Sequence, residues 1–499
     1  HNLNGGGIVN KTTAANGTQW QKTYSDQLGR SFRTEFPDTA ASVITYHPFS
    51  ASLGSRGKMA SSTDPDGVTI SYAYNDEAEQ TTTTEPMPDG QQRITVMDYD
   101  VVTDPDIGIS FRTTTTLNGV LVSTNLRESI GYASKSITLS GTSTSSRTVP
   151  SDGTWQITSV GADGVLSRGF YSDGLMKASV TFEAGSTLPT ALPADITSVT
   201  DSGFIMGSSA THDAFGRTLT TTDSRTGTTT MGTYLDNGSL LSVTDPGSRT
   251  TAFTYDVMGR TTATDLPDTL DATGNTLANI TYTSYTLTGQ VAATWGAQTN
   301  PTLRIYDSLD RMKELRTYQA LAFGTEPDSS TTGFAKTTWI YSTDRGFLLG
   351  KRDDTGKGAD YTYKPAGRLA TRTWERGTTT TYTYDAGMLV TTDYGDSTPD
   401  VTQTYDNFGR PTQTTNNVST TDYAYDPATL VLDTETVSHD LDTDGTPELT
   451  RVIDRKQDGL LRPTGYILKD GTTPEQETTY TYDTSGRLGT VGDASDTFT

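Results

Sequence analysis

The chain has 499 residues and a formal net charge of −23, from 37 basic and 60 acidic side chains. Its average surface repels phosphate backbones and anionic lipids, and no run of about 18 apolar residues could span a bilayer. We therefore expect no nucleic acid partner and no membrane insertion by this segment. Cysteine is absent and only four histidines are present, which excludes disulfide chemistry and disfavours a transition-metal site.

Residues 1–200 carry a weak pattern. Tyr24 to Arg30 reads Tyr-Ser-Asp-Gln-Leu-Gly-Arg, and alternating strand-like stretches follow at 112–121 and 155–160. We predict degenerate β-repeats here, and a separate β-sandwich-like region is the alternative, because short strands with frequent turn signals look alike in both. The Pro-containing stretch 188–193 is the best candidate for a linker between this region and a second region, residues 201–499.

Residues 201–499 repeat a clear motif, Tyr-Asp-x-x-Gly-Arg, at 255–260, 405–410 and 482–487. The tyrosine or its stand-in recurs mostly at steps of about 21 residues, which is typical of a repeat array. Longer steps contain Pro-, Asp- and Gly-rich insertions that we interpret as loops. The positions are His212, Tyr234, Tyr255, Tyr285, Tyr306, Tyr341, Tyr363, Tyr384, Tyr405, Tyr425 and Tyr482.

One repeat predicts one β-hairpin. In Thr379 to Asp385, Thr and Tyr alternate with period two, as suits a pleated and half-buried surface. Asp at the first turn position and Gly three residues later are typical of a type I turn, and 389–394 then forms the returning strand. We predict that residues 211–499 form consecutive antiparallel hairpins in one continuous sheet with almost no α-helix.

These motifs resemble the YD-repeat, or Rhs-repeat, family, which includes the shells of Tc toxins, bacterial Rhs toxins and the barrel of teneurins. The resemblance covers residues 211–499 well and residues 1–210 only in patches. It implies an all-β fold in which antiparallel hairpin repeats form a spiralling β-strip, a hollow shell or a barrel.

By the same resemblance, the function is structural: a bacterial, toxin-related piece of a secreted or cell-surface shell that encapsulates a polypeptide cargo or mediates adhesion. The implied partner is the polypeptide cargo or a cell-surface saccharide. The chain stops after a complete motif without a terminal cap, so we expect a fragment of a longer protein.

An extracellular enzyme, a polysaccharide lyase or a glycosidase on a β-rich frame, is the alternative, and a carbohydrate-binding module is a third possibility. Tyr46 and His47 could supply the acid and base of a lyase, but neighbours in a strand point to opposite faces. His212 occupies the tyrosine position of a repeat, and the repeated Asp and Arg residues are explained by turn closure. We assign no catalytic residue. A closed cavity would favour the shell, and a surface groove with one cluster of Tyr, His and Arg would favour the enzyme.

Three tryptophans in the repeat region, Trp295, Trp339 and Trp374, are candidates for stacking on a saccharide. Aromatic side chains in a repeat array more often pack against neighbouring strands. The same residues therefore have a purely structural interpretation.

The longest insertion contains the one site that its chemistry predicts. Alternating carboxylates on a tightly turning loop direct hard oxygens to one point, and these are the ligands of calcium. The predicted set is Asp440, Asp442, Asp444, Thr446 through its backbone carbonyl, and Glu448. The twelfth position is Arg451, so the bidentate Glu of an EF-hand is missing, and a solvated acidic turn is the alternative. We expect a possible calcium ion here to be structural.

Overall fold

A computed structural model describes residues 7–14, 17–149, 154–270, 273–274, 276–319, 321–322, 324–416, 418–442, 444–493 and 497–498. These residues form forty β-strands and two three-residue 3-10 segments, Pro88–Gly90 and Ile196–Ser198, and contain no α-helix. No helical segment among them is long and apolar enough to cross a membrane. The predicted all-β class is confirmed.

The strands are numbered in chain order. The first ten are β1 Ile8–Thr13, β2 Trp20–Ser25, β3 Ser31–Glu35, β4 Ala41–Tyr46, β5 Met59–Thr63, β6 Thr69–Tyr74, β7 Gln80–Pro86, β8 Gln92–Asp104, β9 Gly108–Leu117 and β10 Val120–Glu128. The second ten are β11 Ser134–Thr138, β12 Gly141–Thr148, β13 Trp155–Val160, β14 Leu166–Ser172, β15 Leu175–Phe182, β16 Phe204–His212, β17 Thr218–Asp223, β18 Gly227–Met231, β19 Ser242–Thr244 and β20 Thr250–Tyr255.

The third ten are β21 Thr261–Leu270, β22 Thr276–Tyr285, β23 Val291–Gly296, β24 Thr302–Tyr306, β25 Met312–Tyr318, β26 Phe334–Tyr341, β27 Leu348–Arg352, β28 Gly358–Tyr363, β29 Leu369–Thr373 and β30 Thr379–Asp385. The last ten are β31 Met388–Asp393, β32 Val401–Tyr405, β33 Pro411–Thr415, β34 Ser419–Tyr425, β35 Leu432–His439, β36 Leu449–Gln457, β37 Pro463–Asp470, β38 Thr473–Tyr482, β39 Leu488–Asp493 and β40 Thr497–Phe498.

Every strand pairs antiparallel with the strands before and after it in the sequence, so the chain is one continuous meander from β1 to β40. The strands of residues 1–200 belong to the same sheet as the later ones. Among the described residues β1 and β40 do not pair with each other, so hydrogen bonds between strands do not close the sheet into a barrel. The hairpin array predicted for residues 211–499 is confirmed.

Alternation along the strands gives the sheet two different faces. Tyr382 and Tyr384 in β30 point to one side, which we call the tyrosine face, and Thr381 and Thr383 point to the other, the threonine face. On the threonine face, directly opposed threonines exchange hydroxyl hydrogen bonds of 2.6 to 2.9 Å, so each hydroxyl is satisfied by its cross-strand neighbour. These pairs are Thr211–Thr220, Thr222–Thr228, Thr362–Thr371 and Thr373–Thr379.

The sheet has no thick core. The chain exposes 27733 Å², whereas a compact monomer of this mass would expose about 18,000 Å². Two apolar clusters form where insertions fold over the threonine face. The insertion after β15 brings Leu188 and Ile196 onto Val180 and Phe182, so the stretch predicted as a linker packs against the sheet. The insertion after β25 covers a cluster that includes Trp295 and Tyr318.

The strip winds back against itself. Arg345, between β26 and β27, pairs with Asp38, between β3 and β4, over a sequence separation of 307 residues. Arg368, between β28 and β29, pairs with Asp64, between β5 and β6, over 304 residues. Each of these two contacts joins turns 23 strands apart. Gln91, between β7 and β8, donates to the carbonyl of Tyr405 at the end of β32, which is 25 strands later, so successive windings are offset by 23 to 25 strands. We call this line of contacts between the edges of two windings the seam.

We predict that Gly409→Val destabilises the seam as well as its own turn. Gly409 has φ +80°, where a non-glycine residue costs roughly 1–2 kcal/mol, and an added Cβ would lie 3.2 Å from the Met87 sulfur of the earlier winding. Gly356 has φ +83° with nothing within 4 Å, so Gly356→Val is a control for backbone strain alone. Thermal unfolding should show the larger loss for Gly409→Val. Equal losses would mean that the seam contact at Met87 contributes no stability, and no loss in either would contradict the turn assignment.

Candidate functional site

The repeated motif builds a self-contained turn, shown by Asp406 to Arg410. One carboxylate oxygen of Asp406 accepts from the backbone N–H groups of Phe408 and Arg410, both at 2.9 Å. The other oxygen accepts from the Arg410 guanidinium, Nη2 at 2.6 Å. Gly409 donates to the Asp406 carbonyl at 3.0 Å and takes positive φ, as a three-residue hairpin loop with a type I turn requires. The predicted turn is therefore present.

The arginine of each motif also connects its hairpin to the next one. The Arg410 guanidinium lies 4.0 Å from the ring centroid of Tyr425 and donates through Nη1 to the Leu430 carbonyl at 2.7 Å. The Tyr425 hydroxyl donates back to the Pro411 carbonyl at 3.0 Å. The same stacking joins Arg30 to Tyr46, Arg217 to Tyr234, Arg260 to Tyr285, Arg311 to Tyr341 and Arg462 to Tyr482.

Hydrogen bonds in the turns lower the pKa values of three motif aspartates, Asp26, Asp256 and Asp483. The side chain of Arg30 lowers the pKa of Asp26, and the backbone N–H of Arg260 lowers that of Asp256. For Asp483, the Ser485 hydroxyl and then the backbone N–H of Arg487 lower the pKa to about 2. These carboxylates are therefore ionised acceptors at neutral pH and unsuited to act as general acids.

The ion pairs of the seam that involve Arg345 and Arg368 form where motif copies depart from the consensus. In the copy that begins at Tyr363 the aspartate is replaced by Lys364, so Arg368 has no aspartate in its own turn and instead binds Asp64 and Asp66 of the earlier winding. In the copy that begins at Tyr341, Ser342 takes the aspartate position.

In that second copy Arg345 comes before the glycine, Gly346, and it also contacts the earlier winding. Arg345 donates to both carboxylate oxygens of Asp38 at 2.9 Å and stacks 4.0 Å above the Phe36 ring. Its side chain is only 10% exposed, which strengthens the bidentate pair relative to a solvated one. In both copies the aspartate of the motif is replaced, and an arginine of the copy binds an aspartate of the earlier winding.

Further hydrogen bonds continue the seam along the same two edges. The Asn118 side-chain amide donates to the Asn407 carbonyl at 2.7 Å, and the backbone N–H of Asp89 donates to the Asp385 carboxylate at 2.8 Å. Near the end of the chain, the Thr484 hydroxyl donates to Glu183 at 2.6 Å. The contacts span most of the overlap between the two windings.

The residues considered for lyase chemistry have separate structural roles. The Tyr46 hydroxyl donates to the Ser31 carbonyl at 2.7 Å, and the His47 ring lies 3.1 Å from the Tyr72 carbonyl oxygen. His212 ends β16, in the position that tyrosine takes in other repeats.

The structure separates the three candidate tryptophans. Trp295 is 9% exposed on the threonine face and stacks on Tyr282 at 5.5 Å, beneath an insertion. Strand register puts Trp339 on the tyrosine face, and the Arg372 side chain, also on that face, stacks on Trp374. Only Trp339 and Trp374 share a face, and saccharide binding stays a prediction for all three.

The acidic loop brings its predicted carboxylates together. Ligand atoms of Asp440, Asp442, Asp444 and Glu448 all lie within 4.8 Å of one another. The loop also uses them internally: Asp440 accepts from the N–H of Gly445 at 2.7 Å, and Asp444 accepts from the N–H of Thr446 at 2.8 Å. Calcium binding stays a prediction.

Comparison with known families identifies the repeat. Residues 234–273 match the family model described as RHS Repeat. This chain carries an RHS repeat. The resemblance to the YD-repeat family predicted from the motif is thereby confirmed. No curated protein matches the chain.

Three solved structures show loose likeness to this RHS-repeat chain. The crystal structure of TcdB2-TccC3-Cdc42 is 11% identical and has a TM-score of 0.41, over 97% of this chain and 33% of that one. The crystal structure of TcdB2-TccC3 without its hypervariable C-terminal region is 10% identical and has a TM-score of 0.37, over 97% of this chain and 36% of that one. The structure of the Photorhabdus luminescens Tc holotoxin pore is 12% identical and has a TM-score of 0.23, over 99% of this chain and 32% of that one. This chain thus spans about a third of the length of those chains. Its fold is assigned from its own strand pairing and not from these structures.

The residues that sequence reasoning missed are the seam pairs. Asp38, Asp64 and Asp66 lie in the weakly patterned first region, and their partners are arginines of imperfect motif copies. One signal was present in the sequence. Lys364 stands four residues before Arg368, where the complete copies have an aspartate, so Arg368 has no carboxylate partner in its own turn. Nothing in the sequence indicates the offset of 23 strands that brings these turns together.

We predict that the charge of Asp483 stabilises the RHS-repeat fold only above acidic pH. Because its folded pKa of about 2 lies below the ordinary value of 3.8 for an aspartate, the stabilisation is complete above the unfolded pKa and is lost as the pH falls through 2. Asp483→Asn keeps an acceptor oxygen and removes the charge. The thermal midpoint of the parent should exceed that of the variant most at pH 6 to 7, and the gap should close toward pH 2. A gap that does not change with pH would contradict this origin.

We predict that calcium binds the acidic loop with modest affinity and stabilises it. Calorimetric titration of chelator-treated protein should give heat that Asp442→Ala removes, because the loop then loses one of four converging carboxylates. Asp236→Ala, in another exposed turn, is the control and should leave the heat unchanged. Absence of heat in the parent, or the same heat in Asp442→Ala, would show that the loop is only a solvated turn.

Proposed function

We propose that this chain is a wall segment of a secreted or cell-surface shell that encloses a polypeptide cargo. The observation that carries the proposal is the seam. A sheet of forty consecutive strands that contacts itself at offsets of 23 to 25 strands is wound around an axis, and a wound single-layer sheet encloses a space.

The size of one winding suits a cargo. Twenty-three strands at roughly 4.8 Å spacing give a circumference of roughly 110 Å, and hence a diameter of roughly 35 Å for a circular section. Side chains on the inner face reduce this to a lumen roughly 25 Å wide. A helix with its side chains is about 10–12 Å across. The lumen therefore accommodates an unfolded or partly helical polypeptide but excludes a large folded domain.

The chemistry of the wall supports the same function. Both faces are wet, and the threonine hydroxyls of the threonine face are paired with one another, so this face offers few unsatisfied groups to hold a cargo chain. The wall is stable without a core because turns and cross-strand contacts are satisfied locally. The toxin-related role and the extracellular location follow from the RHS repeat and the family resemblance, and are part of the proposal.

We predict that a polypeptide attached to the wall is protected from protease. An unfolded reporter peptide fused after Thr499 should be cleaved much more slowly than the free reporter. The double variant Arg345→Glu/Arg368→Glu places like charges against Asp38, Asp64 and Asp66, so the seam should open and protection should fall. The control double variant Arg225→Glu/Arg249→Glu makes the same charge change at exposed turns outside the seam and should keep protection.

Circular dichroism of both double variants separates an opened seam from a lost fold. Small-angle scattering of the parent should give a radius of gyration above the roughly 23 Å of a compact chain of this length. A compact radius, or a reporter cleaved in the parent as fast as free reporter, would overturn the proposed function.

A further inference from the structure

Strands β27 to β29 form a cleft on the tyrosine face. It has a volume of about 340 Å³, and Lys351, Ala359, Tyr361, Arg372 and Trp374 line it. Strand register explains the assembly, because Lys351 lies opposite Ala359 and Tyr361 lies opposite Arg372. Ala359 is 7% exposed and small, so the floor of the cleft is lower there than at Tyr361, the next residue of β28 on this face.

Two cations of this cleft have no carboxylate partner among the described residues. The Arg372 guanidinium lies 3.4 Å from the centroid of Trp374, and its buried Nε has no hydrogen-bond partner. The Lys351 ammonium lies 5.6 Å from the centroid of Trp339, its cross-strand neighbour. The lining as a whole holds four cations, Lys351, Arg352, Lys357 and Arg372, and two carboxylates, Asp353 and Glu375, so the cleft is locally basic in a chain with 60 acidic residues.

The acidic groups around the cleft are already engaged. Asp360, beside the cleft on the threonine face, pairs with Arg352. Glu375 accepts from the backbone N–H of Gly358 at 3.2 Å, and Asp353 accepts from the backbone N–H of Lys357 at 3.0 Å. An incoming carboxylate therefore does not have to displace an existing ion pair to reach Lys351 or Arg372.

We propose that this cleft binds an acidic oligosaccharide, a chain of uronic acid residues, with the carboxylate on Arg372 and Lys351 and a sugar ring against the indole of Trp374. Trp374 is 38% exposed and offers a flat apolar surface, which suits the C–H face of a pyranose ring. The guanidinium supplies charge-assisted hydrogen bonds to the carboxylate.

The backbone around the cleft disfavours an acidic peptide. Strand β28 is paired on both sides, with Lys351 opposite Ala359 and Thr362 opposite Thr371, so no strand edge is free to add a peptide strand. Recognition must then come from side chains alone. The tyrosine face here carries two indole rings and two cations. A polyuronate offers both apolar ring faces and carboxylates to such a surface, whereas an extended peptide would be recognised mainly through its main chain.

Intrinsic fluorescence and calorimetric titration of the full chain with oligogalacturonate test the proposal. The methyl-esterified oligosaccharide tests the need for the carboxylate, and hexaglutamate tests the peptide alternative. Arg372→Gln and Trp374→Ala should each weaken oligogalacturonate binding about tenfold or more, and added salt should weaken it in the parent. Lys336→Gln removes a cation from the opposite face of the neighbouring strand β26, and should change the affinity less than about twofold.

The thermal midpoints of all variants show that they are folded before affinities are compared. The proposal is supported if oligogalacturonate binds, its ester binds at least about tenfold more weakly, and Arg372→Gln is impaired while Lys336→Gln is not. It is overturned by absence of binding, by equal binding of the ester, by hexaglutamate binding as tightly, or by unchanged affinity in Arg372→Gln.

Discussion

The arginine that closes each motif turn is the interaction on which the wall depends. Arg410 binds the aspartate of its own turn, covers the ring of Tyr425 and donates to the carbonyl of Leu430. One planar side chain with five donors thus fixes a turn and the position of the following hairpin. Because this connection recurs in six copies along the strip, the sheet needs no thick apolar core, and its large accessible surface is compatible with a stable fold. A lysine at this position would keep the charge but could not make these contacts together.

The same arginine explains how windings recognise each other. In a complete motif its donors are used within the repeat and toward the next one. Where the aspartate is missing, at Ser342 and Lys364, the guanidinium of Arg345 or Arg368 binds aspartates about 300 residues earlier. Imperfect copies are therefore as informative as perfect ones. Complete copies form the local hairpin and can also contact the other winding, as Asn407 and Thr484 do, whereas copies without the aspartate add ion pairs to the seam.

The local fold could be predicted from the residues themselves. The family resemblance implied a spiralling strip, but neither the offset between windings nor the residues that pair across them could be predicted. Alternating Thr and Tyr predict strands, and Asp with Gly three residues later predicts the turn, because these are effects of neighbouring residues on the backbone. The pairing of Asp38 with Arg345 depends on the accumulated twist and curvature of 23 strands, which no short window contains. For the candidate sites, residue spacing correctly predicted that the carboxylates of 440–448 lie close together, because all of them belong to one loop. Spacing could not separate Trp295 from Trp374, because an insertion folded over one face buries only the first.

A wall that is held together at its turns leaves the middle of its strands free to vary. At the turns, replacing an arginine or a glycine disturbs several hairpins at once. In mid-strand, a residue contacts only its cross-strand neighbours, so Ala359 can stand beside Tyr361 without changing the path of the strip. The lower floor at Ala359 and the unpaired Arg372 are changes of this kind. Binding sites on such a protein are therefore expected on the strand faces, where substitution costs little stability, while the repeat motif stays with the turns. This division also explains why the recurring Asp and Arg residues, although numerous and charged, are poor candidates for ligand binding: their hydrogen bonds are already made within the fold.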